Sequence, residues 1–157
     1  MMRIHLLFVG KTGFRDLESA IGRYMDRLQH YCALQVHLIK PEKITAGVSE
    51  DGVRARESER MMKLAGGLGR LVVWDQSGRE LDSIGLAKFM EKLIDSGISD
   101  LWMAVGGPVG VSPALLKSAH SVLSLSKMTF PHDLARLMLV EQLYRAYTII
   151  KGEPYHK

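Results

Sequence analysis

Three short stretches in the last third of the chain hold the residues best suited to binding a ligand. Residues 105–110 read Val-Gly-Gly-Pro-Val-Gly, residues 123–132 read Leu-Ser-Leu-Ser-Lys-Met-Thr-Phe-Pro-His, and residues 154–157 read Pro-Tyr-His-Lys. Paired glycines let a ligand contact the main chain directly, because no Cβ stands in the way. The other two stretches supply hydroxyls, cations, a phenol and two imidazoles. The first two stretches lie between apolar runs and helical patterns, which is where α/β proteins hold ligands.

These stretches also have plainer interpretations. Gly106 and Gly107 are as typical of a turn as of a binding loop. Residues 126–129 are compatible with an ordinary polar loop. From the residues alone, both alternatives stay open.

Several common chemistries are excluded by motif spacing. Residues 10–12 have the Gly-Lys-Thr end of a P-loop, but His5 stands where the phosphate cradle requires a glycine. The glycine loop at 106–110 follows the fourth predicted strand, whereas a dinucleotide-binding fingerprint follows the first strand. The six histidines and one cysteine lack zinc-ligand spacing, and no Gly-x-Ser-x-Gly elbow is present. We therefore expect no nucleotide hydrolysis, no NAD site, no metal and no serine hydrolase.

The composition is typical of a globular protein of the cytoplasm. The chain of 157 residues has 46% hydrophobic and 24% charged residues, enough for one well-buried core. Its net charge of +4 permits attraction to phosphate-rich partners but does not require it. Cys32 is the single cysteine and cannot form an internal disulfide, which fits a reducing compartment. No apolar stretch approaches a membrane span, and the N-terminus lacks a signal-cleavage pattern, so we expect a cytoplasmic protein without a membrane partner.

Alternating strand and helix patterns would position these stretches. Apolar runs predict strands over 3–9, 34–40, 70–74, 101–105 and 122–125. Helical patterns follow these runs at 14–31, 50–65, 86–94 and 133–151, and a short helix is predicted after Ser112-Pro113. Ser49 is the predicted N-cap of the helix at 50–65, and Gly97 is predicted to end the helix at 86–94. A turn is predicted at 76–79. Continuous apolar strands between helices indicate one α/β domain over 1–157, with a parallel sheet covered on both faces.

The last predicted helix is apolar on two sides. One stripe is formed by Leu139, Leu143, Ala146, Tyr147 and Ile150. A second surface holds Leu134, Leu137, Met138, Tyr144 and Ile149, interleaved with polar residues that include Glu141 and Arg145. In so small a domain, a second apolar surface predicts a homodimer interface. The alternative is a helix sunk in the core, with Glu141 and Arg145 satisfying each other at their i, i+4 spacing.

Taken together and in this order, the three stretches resemble the RlmH family of ribosomal RNA large-subunit methyltransferases, which are small members of the SPOUT class. The resemblance extends from residues 4–11 to the last residue. It implies a single-domain SPOUT-type parallel-sheet fold with a C-terminal trefoil knot, and S-adenosylmethionine as cofactor. It also implies methylation of N3 of a pseudouridine in helix 69 of 23S rRNA, in the assembled ribosome, by a homodimer.

The resemblance also assigns cofactor-binding residues. They are Trp74 at the end of the third strand, Gly106 after the fourth, and the loop residues Leu125, Ser126, Lys127, Met128, Thr129 and Phe130. Relatives usually carry leucine where Trp74 stands. A role for Trp74 as a core residue is therefore the alternative to a wall against the adenine.

The family's chemistry needs little acid–base machinery, because the sulfonium methyl group is already activated. The acceptor N3 carries a weakly acidic proton, so a group that removes the proton or stabilises the anion helps. The candidates are His132, Arg136, Tyr155 and His156. The plainer alternatives are a polar helix-entry residue for His132, a solvated or interface salt bridge for Arg136, and a disordered tail for Tyr155 and His156.

Two other functions stay open at this point. One is a SPOUT methyltransferase with another RNA target, and the other is a non-catalytic ribosome-binding factor with the same fold. The intact glycine loop and the intact Ser-Lys-Met-Thr-Phe-Pro loop favour catalysis, since a pure binding protein need not keep them. The arginines and the lysine of the helix at 50–65 are interleaved with Glu57 and Glu59, which favours a solvated helix face over a ribosome-binding patch.

Overall fold

A parallel sheet of five strands forms the middle layer of the computed structural model, which describes residues 1–67 and 69–157. In chain order the strands are β1 (Arg3–Val9), β2 (Ala33–Ile39), β3 (Arg70–Glu80), β4 (Asp100–Val105) and β5 (Ser121–Ser124). Their order across the sheet is β2-β1-β4-β3-β5, and every neighbouring pair is parallel. The carboxyl ends of all five strands therefore lie at one edge of the sheet.

Helices cover both faces of the sheet. They are α1 (Arg15–Leu28), α2 (Glu50–Ala65), α3 (Ser83–Asp95), α4 (Pro113–Ser118) and α5 (His132–Ile150). Buried side chains of α1, α3 and α5 pack on one face of β1, and those of α2 and α4 pack on the other. This two-sided burial explains why the strands are continuous apolar runs, and it confirms the predicted parallel α/β sheet.

Three predicted helix boundaries are confirmed by local hydrogen bonds and backbone angles. The Ser49 hydroxyl accepts a hydrogen bond from the Gly52 N–H at 3.1 Å, as an N-cap residue does. The Ser112 hydroxyl caps α4 in the same way, and Pro113 is the first helical residue. Beyond α3, Gly97 has a φ of +76°, in the left-handed region that glycine favours after a helix.

The turn predicted at 76–79 is wrong, because β3 continues to Glu80. Trp74 and Arg79 both pair with Leu123 of β5, so residues 75–78 bulge out between them. Gly78 is needed for a close approach of two backbones and not for a turn. A Cβ at this position would lie 2.6 Å from the carbonyl carbon of Leu123.

The two surfaces of α5 differ in burial as the sequence predicts. Leu139, Leu143, Ala146 and Tyr147 are buried between α1, α3 and the sheet, with Ile150 half-buried at the end of the stripe. All five residues of the second surface are half-buried, which leaves part of each side chain available for a further contact. Among the described residues, no helix combines the length and the hydropathy that a membrane-spanning segment requires. The homodimer and the trefoil knot stay predictions of the sequence analysis.

Candidate functional site

The middle of β3 and the carboxyl ends of β4 and β5 surround a cavity of about 560 Å³. Its walls come from residues 74–76 of β3, the glycine loop 105–111 and the loop residues 125, 126 and 128–132, together with Ala135 of α5. The structure therefore brings together the two loops that the sequence singles out, at the edge where parallel sheets bind ligands. We refer to this cavity as the cleft.

The glycine loop is a tight turn and a wall of the cleft at once. The Gly110 N–H donates to the Gly107 carbonyl at 3.0 Å, and Gly110 has a φ of +80°. A Cβ on Gly106 would lie 2.8 Å from the carbonyl carbon of Gly110 and 3.0 Å from Cγ1 of Val111. A side chain at 106 thus has no room inside the turn. The glycine pair thus belongs to a turn that also lines the cleft, and its role as a binding loop stays a prediction.

The second loop is held by its own serine side chains. The Ser124 hydroxyl donates to the Ser126 carbonyl at 2.8 Å, and the Ser126 hydroxyl accepts from the Met128 N–H at 3.0 Å. The Thr129 hydroxyl lies 3.4 Å from Oε1 of Gln76, a bond that joins this loop to the bulge of β3. Met128 is 73% exposed although it lines the cleft, so its side chain lies at the mouth.

Trp74 and Leu125 separate the cleft from a smaller cavity. Both residues line the cleft, and both line a second cavity of about 300 Å³ between β5, α3 and α5. Trp74 is also buried in the main hydrophobic core. Its indole Nε1 is buried and has no hydrogen-bond partner among the described residues. The two sequence interpretations of Trp74, as a cavity wall and as a core residue, are therefore compatible.

His132 begins α5 and lines the cleft. Its Nε2 atom lies 3.3 Å from Oδ1 of Asp133, and about a third of the imidazole is exposed. Asp133 is buried, and its Oδ2 atom accepts hydrogen bonds from the N–H groups of Gly13 at 2.9 Å and Phe14 at 3.3 Å. The contacts of Asp133 could not be predicted from the sequence, because its partners lie about 120 residues earlier in the chain.

Arg136 is 1% exposed and does not belong to the described residues that line the cleft. Its Nη2 donates to the carbonyl of Val9 at 2.6 Å, its Nη1 donates to the hydroxyl of Thr12 at 3.2 Å, and its guanidinium lies 4.7 Å from the ring centre of Phe8. Burial lowers the pKa of Arg136, and the nearby Asp133 carboxylate opposes this shift. Within one chain, Arg136 ties α5 to the end of β1. Contact between Arg136 and a substrate stays a prediction.

The C-terminal tail packs against the far half of α5. The Tyr155 hydroxyl lies 3.2 Å from Oε1 of Glu141 and 3.2 Å from the hydroxyl of Tyr24. Burial raises the pKa of Tyr155, and these two neighbours raise it further. Nδ1 of His156 lies 3.2 Å from Nη1 of Arg145, whose guanidinium covers the Tyr155 ring.

The tail and the cleft are thus separate within one chain. Glu141, which holds the tail, is nine residues along α5 from His132, which corresponds to roughly 13 Å of helix rise. Lys127 is likewise not among the described residues that line the cleft. Eight of the twelve predicted site residues line the cleft: Trp74, Gly106, Leu125, Ser126, Met128, Thr129, Phe130 and His132.

Helix α2 supports the glycine loop from behind. Nε of Arg54 donates to the carbonyl of Val109, and the Ser112 N–H donates to the hydroxyl of Ser58 at 2.9 Å. Glu57 lies between Arg54 and Ser58 in the sequence and is 3% exposed. From the sequence, this part of α2 was predicted to be a solvated face. Residues 54, 57 and 58 lie on one side of the helix because of their i, i+3, i+4 spacing. This spacing is the sequence signal that could have indicated a shared contact surface.

Comparisons with known proteins agree with this architecture. A family model described as "Predicted SPOUT methyltransferase" matches residues 2–156. A Syntrophobacter fumaroxidans protein named "Ribosomal RNA large subunit methyltransferase H" is 53% identical over 157 residues, covering 99% of this chain and 100% of that protein. A protein of the same name from Acetivibrio thermocellus is 42% identical over 159 residues, covering 99% of this chain and 100% of the relative.

Solved structures share the fold at low sequence identity. A probable methylase family protein from Haemophilus influenzae Rd KW20 has a TM-score of 0.56 at 11% identity, covering 99% of this chain and 70% of that one. A probable methyltransferase from Bordetella pertussis Tohama I has a TM-score of 0.55 at 10% identity, covering 92% of this chain and 95% of that one.

Proposed function

The chain belongs to the SPOUT methyltransferase family, and from this premise we propose that it methylates large-subunit ribosomal RNA with S-adenosylmethionine as methyl donor. The proposed acceptor is N3 of a pseudouridine in helix 69 of 23S rRNA, in the assembled ribosome. Full-length similarity to proteins named as ribosomal RNA large subunit methyltransferases is the observation that carries the proposal. Such a substrate would place the protein in the cytoplasm.

The cleft suits the methyl donor in size and in chemistry. A volume of about 560 Å³ lies within the range of cavities that hold cofactors. Gly106 permits the tight turn that forms this wall of the cleft, because a Cβ there would lie 2.8 Å from the carbonyl carbon of Gly110. The residues of the cleft that would hold the donor are Trp74, Gly106, Leu125, Ser126, Met128, Thr129 and Phe130. Lys127, from the same loop but outside the cleft lining, would contact the donor from the rim of the cleft. When bound, the donor supplies an activated methyl group on a positively charged sulfur.

The residues of the chain then have two tasks, which are to orient the acceptor and to take its proton. The His132 imidazole lies at the wall of the cleft, with Nε2 facing the Asp133 carboxylate. The contact of 3.3 Å between Nε2 and Oδ1 is not a hydrogen bond, but the negative charge favours the tautomer with its proton on Nε2, which leaves Nδ1 free to accept the N3 proton. The carboxylate also stabilises the imidazolium that forms. Apolar walls from Trp74, Leu125 and Phe130 exclude water while the methyl group is transferred.

We further propose that a homodimer completes the site. Tyr155 and His156 lie away from the cleft of their own chain. The second surface of α5 is half-buried and apolar, as expected of an interface between two copies. A second copy docked on this surface would bring its own Tyr155 and His156 toward the cleft, where an aromatic ring and an imidazole can contact a base.

Nucleoside mass spectrometry of rRNA from cells with and without the gene tests the proposal. We expect the methylated pseudouridine of helix 69 to disappear in the deletion strain and to return with the wild-type gene. Methylation lost from a tRNA instead would point to another SPOUT specificity. Unchanged methylation of all RNA would favour a non-catalytic ribosome-binding factor.

A further inference from the structure

A buried carboxylate lies directly behind the glycine loop of the cleft. Glu57 of α2 is 3% exposed, and its Oε2 atom accepts a hydrogen bond from the Glu42 N–H at 3.0 Å. Its Oε1 atom is buried and has no hydrogen-bond partner among the described residues. Oε1 would lie 3.4 Å from a Cβ on Gly107, so the unpaired oxygen faces a residue of the cleft wall.

The basic residues of α2 do not neutralise this carboxylate. Arg54 pairs with Asp51 and Glu50 and also binds the carbonyl of Val109. Arg56 and Arg60 both pair with Glu42. In the part of the chain that the structure describes, Glu57 therefore takes part in no ion pair.

An ionised carboxylate at this position would exert its field on the cleft. A charge inside a protein acts through a lower effective dielectric constant than a charge in water, and salt screens it less. Gly107 has no side chain that would increase the separation between the carboxylate and a bound ligand. A positive charge in the cleft near this loop would be stabilised, whereas a neutral group of the same size would gain little.

We propose that Glu57 is a specificity-determining residue that favours the cationic methyl donor over its neutral product. The inference rests on the proposed methyltransferase function. During transfer the bond from sulfur to the methyl carbon breaks, its electron pair stays on sulfur, and N3 forms the new bond to carbon as its proton passes to the base. The sulfonium of S-adenosylmethionine thereby becomes the uncharged thioether of S-adenosylhomocysteine. The attraction to Glu57 ends at that moment, which favours product release.

Binding of both ligands to Glu57→Gln tests the role of the charge. Glutamine keeps the shape of the side chain and an oxygen for the Glu42 N–H. By calorimetry we expect the Kd for S-adenosylmethionine to rise about tenfold, and the Kd for S-adenosylhomocysteine to change by less than about twofold. The two ligands carry the same amino-acid group, so the ratio of their affinities isolates the charge on sulfur.

Glu59→Gln is the matched control. Glu59 lies on the same helix, is 63% exposed and pairs with Lys63, so its loss changes the net charge equally without a buried anion. We expect both affinities to stay at wild-type values.

Each alternative outcome is distinguishable. Equal weakening of both ligands in Glu57→Gln would show a purely structural role and overturn the inference. A wild-type protein that binds neither ligand would overturn the proposed function itself. If circular dichroism shows that Glu57→Gln does not fold, Glu57→Asp takes its place. The aspartate side chain is one methylene shorter, so its carboxylate lies farther from Gly107. The affinity ratio should then fall about threefold, and an unchanged ratio would contradict the inference.

Discussion

Nε2 of His132 lies 3.3 Å from Oδ1 of Asp133, at the wall of the cleft and in the first turn of α5. The other carboxylate oxygen of Asp133 binds the backbone of Gly13 and Phe14. One buried side chain thus fixes the loop after β1 and places a negative charge beside the imidazole that we propose as the proton acceptor. Asp133 is a positioning residue in this account, because it acts through His132.

Asp133→Asn should separate these two roles. The amide oxygen can still accept from Gly13 and Phe14, but the negative charge beside His132 is lost. We expect kcat to fall about tenfold with little change in the KM for the methyl donor. Ring-nitrogen NMR shifts of His132 should show a changed tautomer population. The exposed Asp95→Asn variant serves as control, and an unchanged kcat in Asp133→Asn would remove Asp133 from the mechanism.

Gly106→Ala should abolish the rise in Tm that the methyl donor causes in the wild type. The new Cβ would lie 2.8 Å from the backbone of Gly110, so the turn that forms the cleft wall must open. Gly22→Ala is the matched substitution, because a Cβ at 22 in α1 meets nothing within 4 Å. That variant should keep the ligand-induced shift and gain about 0.5–1 kcal/mol of stability. Thermal melts with and without S-adenosylmethionine would measure this shift in Tm. A wild-type shift in Gly106→Ala would contradict the placement of the cofactor in the cleft.

The strands and most helix boundaries could be predicted because they depend on local patterns. Apolar runs mark β1 and β4, and the side chains of Ser49 and Ser112 cap helices that start within three residues of them. Gly78 was assigned to a turn because its reason is not local. The backbone that it must approach belongs to Leu123, 45 residues later in the chain.

The burial of two charged residues could not be predicted either, because it depends on contacts distant in sequence. Arg136 is buried because it reaches the carbonyl of Val9, a backbone atom that no side-chain pattern reveals. Glu57 resembled a surface residue of a charged helix, and only the packing of α2 against the glycine loop buries it. The loop residues 125–130 were assigned from the resemblance, since their composition alone predicts an ordinary loop.

Mixed dimers should show whether the tail acts on the cleft of the other copy. One chain carries His132→Ala with an intact tail, and the other lacks residues 154–157 but keeps His132. Each homodimer should be nearly inactive, whereas an equal mixture should recover about a quarter of wild-type activity, because half of the dimers are mixed and each has one complete cleft. A mixture without activity, despite dimers seen by sedimentation, would contradict a tail that acts across the dimer.

Stability should decline in mild acid because of His37. Burial and the neighbouring His5 imidazole lower the pKa of His37 below its ordinary value of 6.5, so the folded protein favours the neutral ring. This contribution is complete above pH 6.5 and is lost as the pH falls from 6.5 toward the folded-state pKa. His37→Gln should therefore show a smaller loss of Tm between pH 7.5 and 5.5 than wild type. The exposed His30→Gln variant should behave as wild type, and an equal loss in all three proteins would contradict this assignment.

Methylation of purified ribosomes tests the central claim most directly. Ribosomes from cells that lack the protein would be incubated with it and with labelled S-adenosylmethionine, and the labelled nucleoside would be mapped by mass spectrometry of rRNA fragments. The account predicts about one methyl group per ribosome, on N3 of a pseudouridine in helix 69, and none with Gly106→Ala. Label that is absent, or that appears at another position or only in tRNA, would contradict it.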